Sequence, residues 1–352
     1  MEQSFVCGYV ETPAGKVPQI SSSMEWPDRW GTFKARWGVG RMHYLLDPGL
    51  YALGSPDPGS AVLVTANYKM SFDRLRSALA GENAWILVLD TRGINVWCSA
   101  GKGTFGTEEV VHRIEVSRLA QVVSHRDVIL PQLAGPGVAA HMVKKLSGFR
   151  VHYGPIEAKD IPTFMAAGMK ATPRMRKKTF WLRERAVLIP VELVEALKGM
   201  LFILPLFFFL GGLGGSGGYW ANVLNHGALA CIALLSALVA GAVLTPLLLP
   251  WLPGRAFSLK GLWMGLIMAV TLVVFRAGQL GHWSGLLEVI AWVCMIPALA
   301  TYLAMNFTGA STYTSLSGVR KEMRWALPLQ ISFGALGLLL WFGSLFAAHM
   351  GV

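Results

Sequence analysis

Long apolar runs fill the second half of the chain, and no other feature limits its possible folds so strongly. From about Leu197 onward the sequence contains stretches such as MLFILPLFFFLGGLGG and WMGLIMAVTLVVF, which approach or exceed the length that crosses ~30 Å of hydrocarbon. The residues before Leu197 have the mixed, charged composition of a globular domain. We therefore predict a globular domain followed by an all-α membrane domain of about five transmembrane helices, at residues 199–219, 223–249, 259–275, 286–305 and 326–348.

The distribution of basic residues predicts how the membrane domain is oriented, because lysine and arginine accumulate on the cytoplasmic side of short loops. The segment KATPRMRKKTFWLRER precedes the first span and further basic residues follow the second and fourth spans, whereas the alternate loops carry only Arg276. The N-terminus lacks the basic and apolar regions of a secretory signal. The sequence thus predicts a cytoplasmic domain at residues 1–180, a basic juxtamembrane linker at 181–198, and a multi-pass domain at 199–352 in the cytoplasmic (inner) membrane, with its C-terminus outside.

The formal net charge of +11 raises the question of a nucleic-acid partner. Much of the excess lies in RMRKKTFWLRER, directly before a span, where basic residues meet anionic lipid headgroups. A nucleic-acid-binding domain would be expected to carry a basic stripe of its own, and none is evident in the globular part of the sequence. We therefore predict that this charge serves the membrane and that no nucleic acid is bound.

Strand-like and helix-like segments alternate between residues 61 and 170. The segments AVLVTAN, AWILVLDT, DVILPQL and FRVHYGP have the apolar character of buried strands, and helical segments separate them. This order predicts a parallel α/β sheet with Rossmann-like winding. In such sheets ligands bind in the loops beyond the carboxyl ends of the strands. Here those loops are TANYKM, DTRGINVWCSAGKG, PQLAGPG and YGPIEAKD.

One cysteine, Cys98, lies in the second of these loops, within GINVWCSAGKG. Asn95 is a good N-cap residue and would place Val96, Trp97 and Cys98 in the first turn of a short helix. The positive end of the helix dipole and the nearby Lys102 favour the thiolate form, and a cytoplasmic location favours a reduced thiol. The alternative is that Cys98 is a small buried apolar residue and that the glycines only turn the chain.

The familiar ligand motifs are weak or missing. GKGTFG matches GxGxxG, but it does not follow the first strand and lacks the ribose-binding acid about 20 residues later, so it gives little support to dinucleotide binding. The sequence has no GxxxxGK[ST] and no HExxH motif, and the DxHxxG signature of histidine-ligated cobalamin domains is missing. The chemistry therefore has to be sought in the cysteine segment.

The segment NVWCSAGK resembles the cap-helix signature of the membrane corrinoid protein of anaerobic mercury methylation. The order of a globular domain followed by membrane spans agrees, and the resemblance also includes RWGVGRMHYLLDPGLYALG, VTANYKMSFDRLR and YGPIEAKDIP. The globular part is also similar to the corrinoid-binding domain of the large subunit of the corrinoid iron-sulfur protein in acetyl-CoA synthesis. The resemblance implies a corrinoid-dependent methyltransferase that passes a methyl group from Cys-ligated methylcobalamin to Hg(II), giving methylmercury.

The resemblance also implies roles for individual residues. Cys98 would be the catalytic residue and the lower axial ligand to cobalt in a base-off cobalamin, because a soft thiolate donates electron density to the metal. For the glycines and polar residues of the other loops, ordinary turn chemistry is an equally good interpretation. The corrinoid-binding residues implied are Asn95, Val96, Trp97, Cys98, Ala100, Gly101 and Lys102 on the cap helix, Thr65 and Asn67 in the first loop, Gly135 and Gly137 in the third, and Gly154 in the fourth.

The cysteine count bears on the expected partners. The four cysteines Cys7, Cys98, Cys231 and Cys294 form no iron-sulfur cluster motif, so the electrons that reduce the corrinoid must come from elsewhere. The resemblance implies a small ferredoxin with two [4Fe-4S] clusters as donor and a methylated folate or related carrier as methyl source. Two alternatives remain: a corrinoid methyltransferase with another acceptor, and a transporter with a regulatory globular domain, for which Glu288 is the only acid deep within a span.

Overall fold

The computed structural model describes residues 5–214, 217–310 and 316–349, which divide into two compact units, Met1–Thr179 and Phe180–Val352. The first unit is an α/β domain and the second is helical. The strands of the first unit are β1 (Val6–Thr12), β2 (Gly15–Ile20), β3 (Gly49–Leu53), β4 (Val62–Ala66), β5 (Ala84–Leu89), β6 (Asp127–Leu130) and β7 (Arg150–Tyr153). Its helices are α1 (Trp26–Arg36), α2 (Lys69–Ala78), α3 (Val96–Lys102), α4 (Thr107–Val116), α5 (Leu119–Val122), α6 (Ala140–Ser147) and α7 (Ile161–Ala166).

The strands form one mixed sheet in the order β1-β2-β3-β5-β4-β6-β7. Strands β5, β4, β6 and β7 are parallel, which confirms the Rossmann-like winding predicted from the sequence. The chain passes from β4 to β5 on one side and then to β6 on the other, so the strand order reverses between β4 and β6. In open α/β sheets, ligands bind outside the carboxyl ends of the strands at such a reversal.

Three further strands extend the sheet and make it mixed rather than purely parallel. Strand β3 runs antiparallel to β5, and the hairpin of β1 and β2 continues beyond it. The sequence prediction missed these strands because their pattern is weak. β1 alternates between exposed and half-buried residues, and β2 contains Pro18, which is tolerated near a sheet edge but is untypical of a central strand.

Apolar side chains cover both faces of the sheet. Val62, Val64 and Ala66 of β4 face one core cluster, whereas Leu63 belongs to a second cluster on the opposite face. This alternation follows from the two-residue period of a strand, and it places Thr65 on the same face as Leu63. The sheet is therefore a rigid platform whose edge carries the loops of interest.

Two helices of this unit differ from the sequence prediction. The segment 107–123 reads as one helix, but the structure divides it into α4 and α5 at Arg118, whose φ of 50° lies in the left-handed region. Helix α2 begins at Lys69, two residues before Ser71, although serine is the better N-cap residue by type. In both cases tertiary contacts override the local pattern.

A buried ionic network joins α1 to α2. Lys69 Nζ donates to Asp28 Oδ1 at 2.7 Å and to Asp73 Oδ1 at 2.6 Å. Arg76 donates from Nη2 to Asp28 Oδ2 at 2.6 Å and from Nε to Asp73 Oδ1 at 2.8 Å. Burial alone would raise the pKa of Asp28, but the hydrogen bonds and charges of Lys69 and Arg76 outweigh it and lower that pKa. Two carboxylates and two cations thus compensate one another inside the domain.

In the described part of the second unit, five helical stretches are long and apolar enough to cross a membrane, which confirms the predicted number. The segment 181–198, expected from the sequence as a basic linker, is mostly helical and, from Leu182 onward, is part of the first stretch. The five stretches are Leu182–Leu213, Tyr219–Leu248, Phe257–Phe275, Trp283–Asn306 and Ser317–Ala347. The helices of this unit are α8 (Leu182–Ala186), α9 (Ile189–Leu210), α10 (Tyr219–Asn222), α11 (Ala228–Leu238), α12 (Thr245–Leu248), α13 (Phe257–Phe275), α14 (Trp283–Asn306) and α15 (Leu316–His349).

Candidate functional site

Helix α3 follows β5 and carries Cys98 in its first turn. Asn95 has extended backbone angles, and its side-chain oxygen accepts a hydrogen bond from the Cys98 N–H at 2.9 Å. The Ser99 hydroxyl donates to the Asn95 carbonyl at 2.7 Å, and the helix ends at Gly103 with a φ of 83°. The predicted N-cap and helix start are confirmed. Cys98 and Lys102 are four residues apart and therefore share one face of this short helix.

The two sides of α3 have different environments. Ser99 and Ala100 are buried, and Val96 packs partly against the core on one face of the sheet. Trp97, Gly101 and Lys102 are exposed, and Cys98 is half-buried at the boundary between the two sides. The helix is therefore fixed to the domain by one side, while its thiol remains accessible from the other.

Asn67 fixes the loop that leads into α3. Its buried side-chain oxygen accepts hydrogen bonds from the Thr91 N–H at 3.1 Å, the Thr91 hydroxyl at 2.9 Å and the Gly93 N–H at 3.0 Å. Its amide donates to Asp90 Oδ1 at 3.2 Å. The resemblance implied that Asn67 contacts a corrinoid, but in this structure its hydrogen-bonding groups serve the neighbouring loop. Thr65 is buried within β4 and pairs with Val88 of β5.

The glycines of the third and fourth loops permit close backbone approach. A Cβ at Gly137 would overlap the Phe105 carbonyl oxygen and lie 3.0 Å from the Ala100 Cα, so only glycine lets this loop contact α3. At Gly135 and Gly154 a Cβ would lie 3.2 Å and 3.1 Å from its nearest neighbour. These three predicted site residues therefore have packing reasons to be glycine in the structure.

Gly101 is the exception, because nothing in the structure explains it. It lies inside α3, it is exposed, and a Cβ there would meet no atom within 4 Å. Glycine inside a helix costs about 1 kcal/mol relative to alanine, so a glycine with no packing role suggests that something outside the domain approaches here. Gly101 is three residues after Cys98 and is therefore its neighbour on the helix surface.

Tyr68 is a site residue that the sequence analysis did not single out. It directly follows Asn67 at the carboxyl end of β4 and is buried. Burial raises the pKa of its hydroxyl, the charges of Arg41 and Arg36 act in the opposite direction, and the charge of Cys98 raises it further. The phenol therefore lies within electrostatic reach of the thiol. The segment VTANYKM offered a signal for this role, since its tyrosine stands two residues after the end of β4.

The turn before β3 contacts both Tyr68 and the loop that leads into α3. Leu45 forms an isolated bridge with Tyr68, and a Cβ added at Gly93 would lie 3.2 Å from the Leu45 side chain. The Arg41 guanidinium lies 5.9 Å from the centroid of the Tyr68 ring. Leu45, Met42 and Trp97 are all exposed apolar side chains. A solvent-accessible apolar surface thus accompanies the thiol, which suits a large, flat organic ligand better than a small ion.

The four cysteines are free, and in the described ranges no three His, Cys, Asp or Glu side chains group as a metal site would require. Cys98 could therefore contribute one ligand to a metal whose remaining ligands come from elsewhere. This arrangement fits cobalt in a corrin, because the macrocycle supplies the equatorial ligands and the protein needs to supply only an axial one.

Comparison with known proteins identifies relatives of this part of the chain. Residues 41–165 match the family described as CO dehydrogenase/acetyl-CoA synthase delta subunit. The gamma subunit of the acetyl-CoA decarbonylase/synthase complex of Methanopyrus kandleri is 34% identical over 125 residues, which is 34% of this chain and 26% of the relative. The corresponding subunit of Archaeoglobus fulgidus is 31% identical over 115 residues, covering 32% and 24%. That of Methanocaldococcus jannaschii is 38% identical over 91 residues, covering 25% and 19%.

The chain therefore spans about a quarter of the length of these relatives. The matched segment contains the strands β3 to β7, helix α3 and every residue predicted for the site. It contains neither α1 nor any helix of the second unit. The similarity thus covers the domain around Cys98 and does not extend to α1 or to the helices of the second unit.

Proposed function

We propose that this protein is a membrane-anchored, corrinoid-dependent methyltransferase that passes a methyl group to Hg(II) from methylcobalamin bound through Cys98. The observation that carries the corrinoid part is the pairing of a half-buried thiol with an unexplained helical glycine on the open side of α3. The similarity of residues 41–165 to subunits of an acetyl-CoA decarbonylase/synthase complex supports it. Hg(II) as acceptor rests on the resemblance of NVWCSAGK to the mercury-methylation family.

Some residues around Cys98 would bind the corrinoid, and others would position the thiol. The Cys98 sulfur would ligate cobalt, and the bare backbone at Gly101 would let the ring lie close to the helix. Asn95 accepts a hydrogen bond from the Cys98 N–H, and Asn67 accepts one from the Gly93 N–H in the loop before α3. Together these hydrogen bonds position the thiol. The apolar Leu45 and Trp97 would cover the rim of the ring. When bound, the corrinoid would supply the transferable methyl group.

Partners follow from what the chain would need for repeated turnover. The relatives are subunits of a complex, so a protein partner is plausible for this domain as well. We propose a small ferredoxin with two [4Fe-4S] clusters as the electron donor and a methylated folate as methyl source. The apolar helices of the second unit would anchor the domain to the cytoplasmic membrane with residues 1–180 inside, because the basic loops alternate as the positive-inside rule requires.

The experiment below distinguishes the proposed function from two alternative functions. In one, the corrinoid is present but the physiological acceptor is not Hg(II). In the other, the protein is a transporter. Glu288 accepts hydrogen bonds from Arg276 Nη2 at 2.7 Å and His226 Nδ1 at 2.9 Å, which favours a structural clamp between helices over a free ion-binding acid.

The test uses full-length protein purified without oxygen and reconstituted with cobalamin. We expect bound corrinoid with a thiolate-perturbed visible spectrum and, with a methyl donor and reductant, methylmercury formation. Cys98→Ala should shift the spectrum and abolish methyl transfer, and Cys98→His should ligate cobalt but lose most activity because imidazole is a weaker donor. Cys7→Ala is the matched control, since Cys7 is an exposed thiol on β1.

Each alternative has its own outcome. Protein that binds no corrinoid would overturn the proposal and favour the transporter. Bound corrinoid with the Cys98-dependent spectrum, but methyl transfer only to an acceptor other than Hg(II), would replace the substrate and keep the site. A Cys98→Ala variant with unchanged spectrum and rate would show that the thiol only packs.

A further inference from the structure

Helix α1 presents a continuous aromatic stripe to solvent. Trp26, Trp30, Phe33 and Trp37 recur at helical spacing, and between 39% and 73% of each residue is exposed. Neighbouring rings are in contact: Trp26 and Trp30 stack with centroids 6.3 Å apart, and Trp30 and Phe33 stack at 5.2 Å. Four large aromatic residues on one open helix face form an apolar patch of the kind that marks an interaction surface.

Basic residues border this stripe on both sides. At 100° per residue, Arg29 and Arg36 lie on one side of the aromatic line and Lys34 lies on the other. The opposite face carries Ala35 and Asp28, which are buried. The described structure thus gives α1 an exposed surface of aromatic and cationic groups, and the helix's one acid is turned inward to the ionic network.

Positive charge is concentrated at the C-terminal end of the helix. Burial lowers the pKa of Arg36, and repulsion from Arg74 and Arg41 lowers it further. An anion in this place would relieve that repulsion. These cations are not evident as a basic stripe in the amino-acid sequence because they are spaced along a helix rather than consecutive.

The ionic network fixes which way the stripe faces. Asp28 lies on α1 and is bonded to Lys69 and Arg76 of α2, so the helix cannot rotate to bury its aromatic face without breaking buried ion pairs. The stripe is therefore a permanent feature of the surface. It also lies outside residues 41–165, so the similarity to the complex subunits does not account for it.

We propose that α1 lies in the headgroup layer of an anionic bilayer, with Trp26, Trp30 and Phe33 at the acyl boundary and the flanking cations on lipid phosphates. Tryptophan bordered by lysine and arginine is the composition of interfacial helices. The inference rests on the proposed membrane insertion of the second unit, because the candidate spans keep a bilayer within reach of the domain. The cationic side chains complement the charge of anionic lipid. The aromatic stripe provides the apolar face that interfacial helices bury in a bilayer.

The experiment measures hydrogen exchange by mass spectrometry on full-length protein in three settings: detergent, neutral phosphatidylcholine nanodiscs, and nanodiscs with phosphatidylglycerol. Peptides covering residues 25–37 should exchange about tenfold more slowly in the anionic nanodiscs than in the neutral ones, because basic residues favour anionic surfaces. The protection should weaken at high salt. Trp26→Ser/Trp30→Ser/Phe33→Ser should lose it, whereas Tyr9→Ser, at an exposed aromatic on β1, should retain it.

The outcomes separate this inference from the proposed membrane placement. Unprotected candidate spans in nanodiscs would show that the second unit is not inserted. Protected spans with equal exchange of residues 25–37 in all three settings would overturn the α1 inference alone. Protection that rises with protein concentration in detergent would assign the stripe to a second protein molecule instead, and would equally overturn it.

Discussion

Two segments of the globular unit, α3 and α1, are fixed by different kinds of contact. Helix α3 and the loop before it are positioned by uncharged hydrogen bonds to Asn67 and Asn95. Helix α1 is fixed by the buried ion pairs of Asp28 with Lys69 and Arg76, and the Tyr44 hydroxyl of the following turn donates to the Asp28 carbonyl at 3.1 Å. The thiol is thus positioned by amide hydrogen bonds that the Asp90 carboxylate supports through Asn67, whereas the exposed aromatic face is positioned by buried ion pairs.

Removing one cation of the network should have the largest effect on stability. Arg76→Met leaves two buried carboxylates facing Lys69 alone, and breaking a buried ion pair in this way costs about 3–5 kcal/mol. We expect the free energy of unfolding of the globular unit to fall by this amount, measured by urea denaturation of the full-length protein. Arg74→Met on the same helix is the control, because Arg74 is exposed. Equal losses in the two variants would mean that the network contributes nothing specific.

Removing Asn67 should have the next largest effect. Asn67→Ala leaves the buried N–H groups of Thr91 and Gly93 without their acceptor, and such losses cost about 2–3 kcal/mol in total. We expect lower stability together with weaker cobalamin retention, because the loop before α3 is released. Asn83→Ala removes an exposed acceptor for the Ser55 N–H and should cost less than about 1 kcal/mol. Unchanged cobalamin retention in Asn67→Ala would separate this loop from the site.

Removing the helix cap should have a smaller effect. Asn95→Ala loses the acceptor for the Cys98 N–H, and loss of an N-cap typically costs about 1 kcal/mol. Asn95→Ser keeps a capping oxygen and should recover most of the stability. We expect the cobalt spectrum to broaden in Asn95→Ala and to recover in Asn95→Ser, since the cap sets the position of the thiol. A spectrum that is identical in all three proteins would show that the cap serves folding only.

Acidification to pH 5 should produce the smallest change. The pKa of Asp28 is lowered below its usual 3.8, so its contribution is complete above about pH 4 and is lost only as the pH falls through the lowered value. The difference in urea midpoint between wild type and Asp28→Asn should stay constant from pH 7 to pH 5 and shrink below about pH 4. A difference that shrinks already between pH 7 and pH 5 would contradict this assignment.

Local chemistry determined how much could be predicted from the sequence. The N-cap at Asn95 and the four parallel strands could be predicted from short-range patterns, and the long apolar runs predicted five candidate spans. The strands β1 to β3 were missed because the edge strand β1 alternates between exposed and half-buried residues, β2 contains Pro18, and β3 has only five residues. Tyr68 and Leu45 were missed because they become site neighbours only through a bridge between residues 23 positions apart. The roles of Asn67 and Gly137 were equally hidden, since each depends on a non-local contact.

The close approach of Gly137 to Ala100 limits how the cap helix could be redesigned. A new helix with a different axial ligand could not be grafted as an independent cassette, because the loop after β6 presses its backbone directly onto α3. The smallest transferable module would join residues 95–106 with residues 131–138. Side-chain variation at the exposed positions Trp97, Gly101 and Lys102 would leave this backbone contact intact, whereas any change that shifts the helix axis would break it.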